Sequence, residues 1–255
     1  MFDSYKNVES FKEASGYTID GIWYPRVTKI VSIKSKPALM RFYGEAQSYK
    51  AAQDITTKSA EEGTLVHEAA EAILLGQNPD VSPTIEPSIS AFRKFLDAKN
   101  VQSSPEWVER RIFHPDKRYA GTIDALALID GKFGVLDIKT SQGIYRDYNL
   151  QTAAYVEALK DDFRNLQTRW ILRIDQIQKC SQCGAQLRTK GGREKIKNAY
   201  NGPRCALGAH FWGPTEGVVE LQEFPYWQND FEAFLGAKRL WEWENEYWLK
   251  KVGYL

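Results

Sequence analysis

The residues with the clearest chemical content lie in two runs, Gly121-Thr122-Ile123-Asp124 and Asp137-Ile138-Lys139, separated by an Asp130-Gly131 dipeptide. Asp-Gly between two apolar runs favours a two-residue hairpin loop. With that loop, Ile129 faces Lys132, and pairing back along the strands sets Asp124 directly opposite Asp137. Cβ atoms of such partners lie about 4.5–5.5 Å apart. Lys139 is two residues beyond Asp137 and projects from the same face. The strands are otherwise apolar on both faces (Ile123, Ala125, Leu126, Leu128; Phe133, Val135, Leu136, Ile138), as in a buried hairpin. Opposed carboxylates destabilise one another unless a cation compensates. Oxygen donors of this kind suit Mg²⁺ or Mn²⁺. Such an ion polarises a phosphoryl oxygen and lowers the pKa of bound water. Lys139 could orient that water or stabilise the developing charge. Alone, D-x-K also describes a plain Lys–Asp pair at an exposed hairpin end.

A second cluster is made of sulfur. Cys180-Ser181-Gln182-Cys183-Gly184 is a C-x-x-C-G knuckle, and Cys205 and His210 complete a C-x₂-C-x₂₁-C-x₄-H pattern. Three thiolates and an imidazole suit a structural Zn²⁺ at tetrahedral geometry, although x₄ is wider than the usual second knuckle. The alternative is three free cysteines in a loop. Around them, Lys179, Arg188, Lys190, Arg193, Lys195, Lys197 and Arg204 stand against Glu194 alone. Lys190, Arg193, Lys195 and Lys197 are therefore candidate phosphate contacts, unless they are only a solvated loop.

Four further residues gain meaning from position. His67 sits in a predicted helix on one stripe with Ala70, Glu71 and Leu74. The second His of the zinc-protease pattern is missing, so that reading is rejected. Alone, His67 reads as a packed residue. Glu109 lies on a strand expected beside that of Asp124; alone, it reads as an ion pair with a neighbouring Arg. Gln151 and Tyr155 are i and i+4 on the helix after the hairpin and point the same way.

The elements that must position these groups follow from periodicity and turn signals. Strands are expected around an Asp20-Gly21 turn (residues 17–19, 22–24 and 27–33) and at 106–113, 120–129, 132–140, 169–178 and 216–224. Helices are expected at 38–54, at 59–76 with a capping box from Ser59, at 88–99, at 148–160 and along the aromatic tail 227–251. Helical spacing assigns most of the tail aromatics to the core rather than to base stacking. The order implies an α/β fold with a central mixed sheet and helices on both sides. Residues 1–178 and 215–255 form one domain, and 179–214 a zinc-ribbon-like insert.

Composition narrows the function. Lys plus Arg is 34 and Asp plus Glu is 33, which excludes a basic coat over the whole surface, so any nucleic-acid site is a local patch. No apolar run approaches the ~20 residues that span a bilayer, and Met1 to Lys6 lacks signal-peptide character. The 3 cysteines are too few for a disulfide scaffold and fit a reducing, cytoplasmic setting. Gly191-Gly192-Arg193-Glu194-Lys195 lacks P-loop spacing.

Taken together, the ordered motifs Gly63-Thr64-Leu65-Val66-His67-Glu68, Glu109, Gly121-Thr122-Ile123-Asp124, Asp137-Ile138-Lys139 and Gln151-Thr152-Ala153-Ala154-Tyr155 resemble the PD-(D/E)xK nuclease superfamily, in particular its RecB-like and Cas4-like exonuclease branch. Tyr24-Pro25-Arg26-Val27-Thr28 is similar to the entry motif of phage-type members, with Arg26 in place of the usual Ser. The resemblance covers residues 16–178 and 216–250 and implies a restriction-endonuclease-like core. It implies that His67, Asp124, Asp137 and the Ile138 carbonyl bind Mg²⁺ or Mn²⁺, and that Lys139 is catalytic. Gln151 and Tyr155 would hold DNA or order Lys139, and Glu109 would support the site or a second metal. The four-cysteine iron–sulfur cluster of some relatives is not expected with three cysteines in one insert. The expected activity is metal-dependent DNA hydrolysis, most naturally exonucleolytic, on single strands or duplex ends. The expected setting is a bacterial or phage-infected cell, with a replication or recombination protein as a further partner. The alternative is a non-catalytic nucleic-acid-binding protein that keeps the fold and the zinc insert.

Overall fold

The computed structural model describes residues 5–199, 204–205 and 208–255. After α1 (Val8–Ser15) and an antiparallel pair, β1 (Gly16–Ile19) and β2 (Ile22–Pro25), comes its centre, a seven-stranded mixed sheet: β3 (Val108–His114), β4 (Tyr119–Ile129), β5 (Lys132–Lys139), β6 (Thr168–Cys180), β7 (Gln186–Lys190), β8 (Arg193–Lys197) and β9 (Trp212–Glu223). β3 to β8 follow one another in order, and β9 pairs with β6. β5 and β6 are parallel, and the other pairs are antiparallel. The parallel pair is joined through α6 (Asp147–Leu159), the long crossover that parallel strands need.

Alternation along β5 explains the layers. Phe133 and Val135 enter one core with Ala153, Tyr155 and Val156 of α6 and with Phe231, Phe234 and Trp241 of α7 (Gln228–Glu244). Leu136 and Ile138 enter the other, with Val66 and Ala70 of α4 (Tyr49–Leu74) and Ile89 and Phe92 of α5 (Glu86–Ala98). Helices therefore cover both faces, as a parallel pair requires. The α/β architecture with a mixed central sheet agrees with the sequence.

Four expectations are corrected. Residues 27–33 do not form a strand: α2 (Val27–Val31) is a short helix. Val27, Ile30 and Val31 are all buried, and burial at i, i+3 and i+4 overrides their β-branched preference. The two helices expected at 38–54 and 59–76 divide elsewhere. They are α3 (Pro37–Glu45) and the 26-residue α4, capped by Ser48 through the Ala51 N–H at 3.1 Å. Ser59 lies inside α4. The tail breaks at Asn245 between α7 and α8 (Glu246–Lys251). Phe231, Phe234 and Trp241 are buried as expected, whereas Trp243 and Tyr247 are exposed.

The insert is an extension of the main sheet. β6 runs on to Cys180 and β9 starts at Trp212. β9 occupies one edge of β6 from Trp170 to Cys180. On the other edge β5 pairs with Thr168–Arg173 and β7 with Gln178 and Lys179. β7 thus continues the line of β5 after β5 ends. The tip Gly191-Gly192 has both φ values positive, 60° and 76°, as a two-residue type I′ turn needs. Gly202-Pro203, expected just before Cys205, lies outside the described residues. Among the described residues no helix is long and apolar enough to cross a membrane.

Candidate active site and metal centre

Asp130 and Gly131 both adopt positive φ, 49° and 82°, and the hairpin register runs from Ile129↔Lys132 to Ala125↔Leu136 as expected. One step further Asp124 reaches Asp137, and there the ladder stops. The Asp124 carboxylate accepts the Ile138 N–H, in place of a backbone carbonyl. On its other side β3 meets β4 through Val108↔Ala125 and Arg110↔Ile123, which sets Glu109 opposite Asp124. Glu109 has φ 49°. The strand pair changes faces at this step: Val108 and Ala125 belong to one core, Ile112 and Ile123 to the other. Glu109, Asp124 and Asp137 therefore form a row across three neighbouring strands.

Asp137 is 1% exposed. Its Oδ1 accepts Gln151 Nε2 at 3.0 Å, and the same nitrogen lies 3.0 Å from the Tyr155 hydroxyl. Its Oδ2 touches the Lys139 ammonium but accepts no well-aligned hydrogen bond. Gly121 makes room for Tyr155: a Cβ there would lie 2.6 Å from the ring. Gly63 lets α4 close on the end of β5, since a Cβ would lie 2.8 Å from Thr140 Oγ1. One turn later on α4, His67 comes close enough to Asp137 and Lys139 to feel both charges.

The electrostatics are those of a site short of positive charge. Burial raises Asp124 and Asp137 above the carboxylate range despite the opposing pull of Lys139. Glu109 is pushed up to about 7 by desolvation, then by Asp124 and Glu71. Burial alone would lower Lys139, but Asp137 and Asp124 outweigh it and hold the ammonium above its usual range. His67 is pushed down to about 4 by burial and by Lys139, so its imidazole is neutral at pH 7 and free to donate a lone pair. A divalent cation would relieve the carboxylates, and the donor set of carboxylate oxygens, one neutral imidazole and the Ile138 carbonyl fits Mg²⁺ or Mn²⁺. Lys139 Nζ lies 3.4 Å from that carbonyl.

Glu71 was absent from the sequence-derived set, yet it acts on both Asp124 and Glu109. Its signal was its place one turn after His67. Tyr148 was also missed; Lys139 Nζ is 5.2 Å from its ring centroid. Among the described residues Glu109 forms no ion pair: Arg110 reaches Asp162 and Arg111 stacks on Tyr17.

The sulfur cluster assembles fully. The ligand atoms of Cys180, Cys183, Cys205 and His210 lie within 4.8 Å of one another. Cys180 and Cys205 sulfurs are 3.7 Å apart and Cys183 Sγ is 3.3 Å from His210 Nδ1. That S–S separation is too long for a disulfide. Gly184, at φ 69°, turns the knuckle, and its N–H bonds the Cys180 carbonyl at 2.9 Å. Burial would raise the Cys180 thiol, but N–H groups of Cys183 and Gln182 and contacts from His210 and Phe211 bring it down to about 5. The group could bind a metal such as zinc.

The insert's cations divide. Lys190 bonds the Thr140 carbonyl and Lys195 reaches Gln142 Oε1 at 2.9 Å. Arg193 lies over the Phe42 ring at 4.6 Å, with Glu45 3.9 Å away, and Lys197 is exposed. A groove of about 450 Å³ runs between α3 and the 142–148 segment, lined by Lys34, Lys36, Phe42, Tyr145, Arg146 and Arg193 among others.

Compared with models of protein families and with curated proteins, the sequence matches none.

Proposed function

We propose that this chain is a divalent-metal-dependent DNA nuclease with a PD-(D/E)xK core, acting most naturally as an exonuclease on a single strand or a duplex end. The observation that carries the reading is the carboxylate row Glu109–Asp124–Asp137 with Lys139 on the same face and neutral His67 above it. When bound, Mg²⁺ or Mn²⁺ would polarise the scissile phosphate and acidify a water. Asp124, Asp137 and His67 would hold it, with the Ile138 carbonyl beside them. Lys139, anchored on Asp137, would meet the charge that develops on the phosphate oxygens or orient the attacking water. Gln151, bridging Tyr155 and Asp137, fixes the carboxylate rotamer.

The groove beside Tyr148 supports the substrate. Its cations suit phosphates, and its exposed Tyr145 offers a stacking face. The Cys/His group is read as a structural zinc in a ribbon-like insert, since all four positions are filled by protein. The test is digestion of 5′- and 3′-labelled single- and double-stranded DNA with Mg²⁺ or Mn²⁺. Metal-dependent shortening that is lost in Asp137→Ala supports the reading. Tight DNA binding without cleavage under every metal would favour the non-catalytic alternative.

A further inference from the structure

We infer that the insert is a working wall of the active site: Arg188 and Lys190 act as positioning residues that clamp the Thr140 carbonyl and so fix Lys139 against Asp137. This rests on the nuclease reading for its kinetic consequence, but its geometry stands apart from it.

Lys139 is the last residue of β5, and Lys139↔Arg173 is the last pair with β6. Strand ends fray where pairing stops, so the catalytic ammonium is anchored by the ladder only on its N-terminal side. On the other side the chain turns out at Thr140. There two cations of the insert converge on one carbonyl: Arg188 Nη2 at 3.2 Å and the Lys190 ammonium. Arg188 is itself held, since its Nε bonds Asp175 Oδ2 at 2.7 Å. Asp175 is 6% exposed and also takes Arg173 Nη1 at 3.0 Å. The guanidinium fork therefore ties β6 to the first residue past Lys139. The hairpin tip is fixed in turn by α4: Gly191 N–H bonds Glu62 Oε1 at 3.1 Å. A Cβ on Gly191 would meet Ser59 Oγ at 2.2 Å. Lys195 holds Gln142 two residues on. Since β7 pairs with β6 through Gln178↔Leu187 and Lys179↔Gln186 alone, the clamp relies on the Cys/His group that roots the hairpin.

The test separates positioning from gripping DNA. In Arg188→Ala, kcat should fall roughly 10–100-fold, the scale of an ångström-level misplacement, while KM changes less than about twofold and the salt dependence of DNA binding stays as in the unmodified protein. Added guanidinium should restore part of kcat. Lys190→Met removes the second donor and leaves the Arg188–Asp175 pair, so it should show the same signature to a smaller degree if Arg188→Ala does not fold. Amide exchange should rise in peptides covering 139–146 in either variant. Unchanged kcat with raised KM and a shallower salt slope would overturn the clamp and make these cations substrate contacts. If the unmodified protein cuts no DNA with any metal, the nuclease reading falls, and exchange at 139–146 still decides the clamp: faster supports it, unchanged overturns it.

Discussion

The two candidate metal centres lie along one strand. Asp137 pairs with Ile171 of β6, and Cys180 ends that strand nine residues later, about 30 Å away. They are built on opposite principles. In the sulfur group the ligand atoms already converge within 4.8 Å, and among the described residues no other His, Cys, Asp and Glu group does so. In the acidic row both aspartates have another partner: Asp124 holds the Ile138 N–H, and Asp137 holds Gln151 and Lys139. The sulfurs can approach because their charge is shared unequally: against the pull of burial, surrounding N–H groups and His210 draw the Cys180 thiol down to about 5, while burial and the neighbouring cysteines push Cys205 up to about 12. Carboxylates that approached as closely would repel, and the chain spaces them with hydrogen bonds instead. Soft donors suit a closed metal site, whereas donors on separate tethers would suit the proposed site, which has to exchange water and substrate.

That contrast breaks most visibly under substitution. Asp124→Ala, Asp137→Ala and Lys139→Ala should each lower cleavage by about 10³-fold, the scale of losing a preorganised charge at the reacting centre. Thermal stability should be retained or increased in the two Asp variants and reduced in Lys139→Ala, which leaves buried carboxylates without their cation. Stability is expected to hold in the Asp variants because removing one of several crowded carboxylates relieves repulsion. Near-normal turnover in Lys139→Ala would remove it from the chemistry. The sulfur site should respond the other way. Cys180→Ser should release about one zinc per chain, as a closed site holds one ion. Its main effect should be structural, with faster amide exchange across 186–197 and, through Thr140, in the 139–146 segment. Full retention of zinc by inductively coupled plasma analysis would exclude Cys180 as a ligand.

Much of the acidic row was legible because a two-residue turn leaves no freedom of register: once Asp130-Gly131 is the loop, Asp124 must meet Asp137. Gly121 and Gly63 carried readable information for the same reason, each marking a close approach whose partner, Tyr155 or Thr140, the sequence alone does not name. Val27 to Val31 was misread because β-branching is a local preference and burial of one helical stripe outweighs it. Ser59 suggested a helix start inside α4, yet the helix runs through it, because it is held by packing along its length rather than by propensity. The route from the insert to Thr140 could not be read at all. It exists because β7 takes the edge of β6 that β5 vacates, and nothing in the spacing of Arg188 and Thr140 encodes that.

A finer test uses pH without metal. Glu109 has a folded pKa of about 7 against 4.5, so its contribution to stability is complete below about 4.5 and lost as pH rises through about 7. His67, at about 4 against 6.5, has the opposite sign: its contribution is present above 6.5 and lost as pH falls towards 4. Glu109→Gln should therefore raise the melting temperature at pH 8 and leave it unchanged at pH 4. The gain should be only about 1–2 °C, since Glu109 is exposed and solvent screens much of its repulsion. Saturating Mn²⁺ should erase the difference by supplying the missing positive charge. Equal melting temperatures at pH 8 would mean that neither desolvation nor the charges of Asp124 and Glu71 disfavour the Glu109 carboxylate.

The smallest expected effect concerns the groove. Arg193 and Lys36 line it without the anchoring hydrogen bonds that hold Arg188 to Asp175 and Lys190 to the Thr140 carbonyl. If they meet phosphates, Lys36→Ala combined with Arg193→Ala should weaken DNA binding alike for all sequences. The slope of log affinity against log salt should become shallower by about 0.7 per lost contact for a single strand. Turnover at saturating DNA should stay normal, because Asp137 and Lys139 are untouched. This is the mirror image of the loss expected at Arg188, where turnover falls and the salt slope holds. Two sets of cations from one basic hairpin region would thus be told apart by which kinetic constant moves. A double variant with an unchanged slope would place the DNA path outside this groove and leave Arg193 as a packing partner of Phe42.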